Sequence, residues 1–119
     1  MYEIIFFKNE NGNEPVKKWL KSLDKFERKI IGNDILTVQY SYHLKIPVGM
    51  PLIKPIGDGF WEIRSYIKER ITRIIFFIWN DKIIIVDGFV KKTEKIPKTH
   101  INLIKKRRDL FLKSVKCRK

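Results

Sequence analysis

From Phe60 to Phe89 the chain consists largely of β-branched and aromatic residues, interrupted by two short polar turns. Such residues favour strands. In the first run, Trp61, Ile63 and Ile67 fall on one side and Glu62, Arg64 and Tyr66 on the other, the period of two of a pleated strand. Ile71 to Trp79 forms a second run and Lys82 to Phe89 a third. Lys68-Glu69-Arg70 separates the first two, and Asn80-Asp81 supplies a compact hairpin turn between the last two. Three successive strands with tight turns make an antiparallel meander. Strands this rich in Ile and Phe cannot leave both faces wet, so the remaining segments must cover them.

Those segments read as one further strand and three helices. Tyr2 to Phe7 is β-branched and aromatic and stops at the polar stretch Lys8 to Asn13. Pro15 suits a first helical turn, and Val16, Trp19, Leu20 and Leu23 follow at helical spacing. Asp24 with Glu27 has capping-box spacing, so a second helix starts there, with Ile31, Ile35, Val38 and Tyr42 on one face. Gly32 inside it costs about 1 kcal/mol relative to Ala. Lys45 to Gly59 contains Pro47, Pro51, Pro55 and three glycines and is expected to be a loop with no regular element. Pro97 opens a last helix through about Lys113. Ile101, Ile104, Phe111 and Val115 lie on one side of it, and Lys105, Lys106 and Arg107 fan around the rest. The expected fold is α+β in the order β-α-α-β-β-β-α. A helical hairpin and a C-terminal helix pack on a small, mainly antiparallel sheet, as a single domain over residues 1–119.

Charge narrows the partners. The net charge is +13, and its distribution is uneven. Residues 1–90 carry 14 basic and 11 acidic side chains, whereas residues 91–119 carry 12 and 2. A field of one sign attracts a polyanion and speeds encounter with it. A solvated basic helix without a specific partner is the plainer explanation. Cys117 is the one cysteine, which excludes an internal disulfide and a multi-cysteine zinc site. The longest apolar run, Ile74 to Trp79, is far short of the roughly 20 residues of a membrane span. No signal-peptide pattern opens the chain. A reducing, cytoplasmic setting without membrane attachment is expected.

Few side chains form a familiar catalytic set. There is no Gly-rich phosphate loop, and the acidic residues do not cluster as a magnesium nuclease requires. His43 and His100 are far apart, and neither has metal-ligand spacing. What does recur is arginine inside apolar strands, at Arg64 and Arg73. Such a charge is costly unless it is paired or faces a cleft. Either these arginines pair with Glu62 or Asp87, or they bind phosphate, for which a guanidinium is suited. Lys91, Lys92 and Lys95 emerge where the meander ends, Thr93 adds a hydroxyl, and the helix start at Pro97 favours an anion.

These segments resemble a known family. Gly59-Phe60-Trp61-Glu62-Ile63-Arg64, Arg73 to Phe77, and Gly88-Phe89-Val90-Lys91-Lys92-Thr93-Glu94-Lys95-Ile96-Pro97 are similar to the RelE/ParE toxin superfamily, in its phage-related HigB-like branch. The resemblance implies the toxin of a type II toxin–antitoxin pair that cuts mRNA in the ribosome without a metal or cofactor. Its partners would be the ribosome, mRNA and a helix-turn-helix (HigA-like) antitoxin. By resemblance, the catalytic positions are Arg64, Arg73, Lys91 and Lys92. Arg73 and Lys92 would stabilise charge on the phosphate, and Arg64 and Lys91 would position the backbone. Tyr66, Thr93, Lys95, Lys98, Lys105 and Lys106 are the expected RNA contacts. Relatives that use a histidine or tyrosine near the chain end have no clear counterpart here, so the general base is a lysine of depressed pKa or Tyr66. A gyrase poison of the ParE type and an inactive RNA-binding relative are the alternatives.

Overall fold

The computed structural model describes residues 2–45 and 52–116. Three helices pack on one five-stranded, mostly antiparallel sheet. The elements are β1 (Glu3–Phe6), α1 (Pro15–Ser22), α2 (Lys25–Leu44), β2 (Ile53–Gly57), β3 (Phe60–Ile67), β4 (Arg70–Trp79), β5 (Lys82–Val90) and α3 (Lys98–Lys116). The sheet order is β1-β5-β4-β3-β2, with β1 parallel to β5 and every other pair antiparallel. The expected α+β meander with its helical hairpin and C-terminal helix is present.

Local chemistry accounts for most boundaries. Asp24 caps α2 by accepting from the Glu27 backbone N–H at 2.8 Å. The Glu27 side chain does not complete the capping box. It is buried and pairs with Arg70 instead. Asn80 and Asp81 both take positive φ, as a type I′ hairpin requires. Helix α3 begins one residue after Pro97, whose carbonyl accepts from His100 and Ile101, and it runs to Lys116, three residues beyond the expected end.

Two expectations need correction. The stretch expected to be all loop contains β2, which pairs with β3 through Ile53–Ile63, Lys54–Glu62 and Pro55–Trp61. Pro55 is tolerated because β2 is an edge strand, where a missing N–H can face outward. The turn that joins β2 to β3 is Asp58-Gly59, with φ of 56° and 82°. Pro47 and Pro51 lie outside the described residues. The first strand does not cover the sheet. It extends it, alongside β5, and the helices do the covering.

The two faces carry separate cores. Val16, Ile31, Ile35 and Val38 of α1 and α2 pack on Ile63, Ile67, Ile74, Phe76, Ile83 and Ile85. On the opposite face, Ile104 of α3 joins Phe60, Ile75, Phe77, Ile84 and Val86, with Phe111 set edge-on to Phe77 and Trp79. A β-bulge sets the second arrangement. Ile75 pairs with Asp87 but Phe76 with Ile85, so Val86 is the extra residue. Val86 and Asp87 therefore both serve the α3 face.

Candidate nucleic-acid interface

The α3 face of the sheet is apolar at one end and charged at the other. Register places the charged side chains in rows. Glu62, Ile75 and Asp87 form one row, followed by Arg64, Arg73 and Phe89. Tyr66 and Ile71 form the next, which Lys91 completes through its N–H to the Ile71 carbonyl at 2.7 Å. Two arginines directly opposite each other repel unless an anion lies close. Glu62 supplies it. Its Oε2 lies 3.0 Å from Arg73 Nε and its Oε1 3.9 Å from Arg64 Nε. The ion pair expected for these arginines is thus present, and Glu62 serves both.

The pairing leaves hydrogen-bonding capacity unused. Arg73 is 2% exposed, and its Nη2 donates to the Glu94 carbonyl at 2.6 Å. Among the described residues, Arg73 Nε and Nη1 and Arg64 Nε are buried without a hydrogen-bond partner. The Glu62 contact is therefore close in charge but not aligned as a bond. Lys91 is also largely buried, with its ammonium 3.0 Å from Glu94 Oε1. Lys91 as the main donor, with Arg64 and Arg73 behind it, holds the Glu94 carboxyl below the usual carboxylate range.

The structure thus brings Arg64, Arg73 and Lys91 together, with Tyr66 at the rim and 55% exposed. Lys92, the next residue, is exposed, as are Thr93, Lys95 and Lys98. The Thr93 hydroxyl is occupied by a bond to the Lys95 carbonyl that shapes this loop. Lys105 and Lys106 lie exposed on the outer side of α3, not beside the arginine row. Arg107 does not fan outward as expected. It faces the sheet, donates to the Val86 carbonyl at 2.6 Å and lies over the Phe7 ring. Burial lowers its pKa, with Asp87 opposing the shift.

One group at the site was not placed by the sequence. His100 Nδ1 lies 2.6 Å from Asp87 Oδ2, and the imidazole stacks on Phe89 with ring centroids 3.9 Å apart. The available signal was Asp87 itself, since an acid inside an apolar strand needs a partner. His43 lies on α2, across the sheet from α3, so the two histidines form no pair.

Residues 18–109 match the family described as phage-derived protein Gp49-like (DUF891). The chain belongs to the Gp49-like family. The Gp49-like family is a RelE/toxin-like family, associated with the toxins of toxin–antitoxin pairs, and membership implies an antitoxin partner in general. The matched span begins within α1 and includes α2, the strands β2 to β5 and the first two-thirds of α3. No curated protein matches this Gp49-like chain. Among the described residues, no helix is long and apolar enough to cross a membrane.

Proposed function

We propose that this chain is the toxin of a toxin–antitoxin pair and cuts mRNA on the ribosome by metal-independent transfer to the ribose 2′-oxygen. The observation that carries this reading is the basic cluster itself: Arg64 and Arg73 in one row of the sheet and Lys91 in the next, with buried guanidinium N–H groups left unbonded. In such a reaction the 2′-oxygen attacks the adjacent phosphorus as its proton leaves to a base. The bond from phosphorus to the 5′-oxygen then breaks, and that oxygen takes up a proton. The products are a 2′,3′-cyclic phosphate and a 5′-hydroxyl. Charge on the equatorial oxygens grows on the way, and preformed cations aimed at it lower the barrier.

Exposure divides the roles. Arg64 and Lys91 reach the phosphate from the sheet, and Lys92 from the loop. Arg73 is held too deep for first contact and acts through Glu62 and the Glu94 carbonyl to keep the row in place. Tyr66, half exposed beside Arg64, would stack an unpaired base. Tyr66, Lys92 and His100 are among the groups at the cluster able to exchange a proton. The helix-turn-helix antitoxin would present acid to this surface.

Controlled expression tests the assignment. The wild-type chain is expected to arrest translation and leave mRNAs cut within codons, and Arg64→Ala to restore growth at equal protein level. Growth arrest with intact mRNA and broken DNA would replace this activity with gyrase poisoning. Salt-sensitive RNA binding without cleavage on programmed ribosomes would mark an inactive relative.

A further inference from the structure

Glu94 is an exposed acid set against the cations of the cluster. Its backbone carbonyl accepts from Arg73 Nη2, and its carboxylate lies 3.0 Å from the Lys91 ammonium. Both contacts aim one short loop, Lys91 to Pro97, at the row formed by Arg64 and Arg73. The carboxylate is 87% exposed, so nothing packs it there, and attraction to the cations is what holds it. Meanwhile Arg64 Nε and Arg73 Nε and Nη1 are buried and lack partners among the described residues. Glu62 serves both arginines, and a second acid on a flexible side chain pairs with Lys91. A carboxylate oxygen and a phosphate oxygen ask for the same donors.

We propose that Glu94 is an affinity-setting residue of this anion site: its carboxylate holds the place of a substrate phosphate against Lys91 and must be displaced before a polyanion can bind. The anion site itself stands on the geometry, and only the identity of the polyanion as RNA rests on the function proposed above. The effect is competitive. Removing the carboxylate while keeping the backbone carbonyl frees Lys91 for phosphate and leaves the loop anchored on Arg73.

The variant is Glu94→Gln, compared with wild type and with Asp109→Asn. Asp109 is an exposed acid on α3 whose loss changes the net charge by the same amount. The probe is a short, labelled single-stranded RNA, titrated at low salt with anisotropy as the readout. An exposed ion pair is worth little, so Glu94→Gln is expected to tighten binding by about fivefold at most and by clearly more than Asp109→Asn, which should give under about twofold. Adding Lys91→Met to Glu94→Gln should abolish the gain. Equal effects of Glu94→Gln and Asp109→Asn overturn the proposal, whether or not the wild type cleaves mRNA. Weaker binding by Glu94→Gln overturns it as well. A selective gain with Glu94→Gln, together with mRNA left intact on programmed ribosomes, leaves the anion site standing and removes the endonuclease assignment.

Discussion

Gly88 and Gly32 differ in what an added methyl group would meet. At Gly88 a Cβ would sit 2.9 Å from Trp19 Cε3 and 3.0 Å from Ile74 Cδ1, both in packed positions. The Gly-Phe-Val-Lys-Lys run therefore begins with glycine so that the Trp19 ring of α1 can lie on β5. Gly88→Ala is expected to destabilise by about 1–3 kcal/mol in denaturant unfolding. At Gly32 nothing lies within 4 Å of the same position, and the residue is helical. Gly32→Ala should stabilise by about 0.5–1 kcal/mol in the same measurement. Arg73 poses a different question. It and Glu62 are each 2% exposed, so removing one partner strands a buried charge. Arg73→Ala is expected to cost about 3–5 kcal/mol, whereas Glu62→Leu combined with Arg73→Met should recover much of that loss. A growth test with Arg73→Ala would thus report folding as well as function, which is why Arg64→Ala is the more informative variant.

At the scale of elements, α3 is held to the sheet by arginines as well as by its apolar side. Arg108 donates to the Asp58 carbonyl at 2.6 Å and to its Oδ2 at 2.8 Å, and it covers the Phe60 ring at 4.4 Å. The helix is thereby tied to the β2–β3 turn. Hydrogen bonding and charge from Arg108 lower the Asp58 pKa. A depressed carboxyl stabilises above its unfolded pKa, about 3.9, and the contribution is lost as pH falls through the lower folded value. Asp58→Asn should therefore melt below wild type at pH 7, and the gap should close as melts are repeated towards pH 3. That same turn shows what was legible beforehand. Asp58-Gly59 is the dipeptide of a type I′ hairpin, yet three nearby prolines outweighed it, and β2 read as loop. The meander was legible because a period of two needs no tertiary information, and it also placed Arg64 opposite Arg73. The His100–Asp87 contact was not, because it depends on where α3 lands on the sheet. Nor could the spacing of Lys105, Lys106 and Arg107 show which of them faces inward.

Across the described residues the ion pairs draw mainly on arginine, with Lys68 and Lys91 also paired. Among the described residues, Arg64, Arg70, Arg73, Arg107 and Arg108 each contact a carboxylate within 4 Å, while the lysines of α3 form no ion pair. On α3 the guanidinium groups of Arg107 and Arg108 tie the helix to the sheet, and its exposed ammonium groups remain for a partner. Lys98, Lys105, Lys106, Lys113 and Lys116 are all exposed along one helix. The opposite side of the molecule has another character, since Phe26, Leu36, Tyr40 and Leu44 are exposed on α2. A polyanion thus has one favoured side from which to approach. If the α3 lysines contact RNA, binding must weaken with salt, and each phosphate contact adds about 0.7 to the slope of log K against log salt for a single strand. Replacing Lys105 and Lys106 by Ala should lower that slope by up to about 1.4 and leave the melting temperature unchanged, because neither side chain is packed or paired. Replacing Arg107 or Arg108 by Ala should lower the melting temperature instead. An unchanged slope in the lysine double variant would show that RNA does not run past Lys105 and Lys106, and would favour contacts at the cluster of Arg64, Arg73 and Lys91 and the loop that follows it.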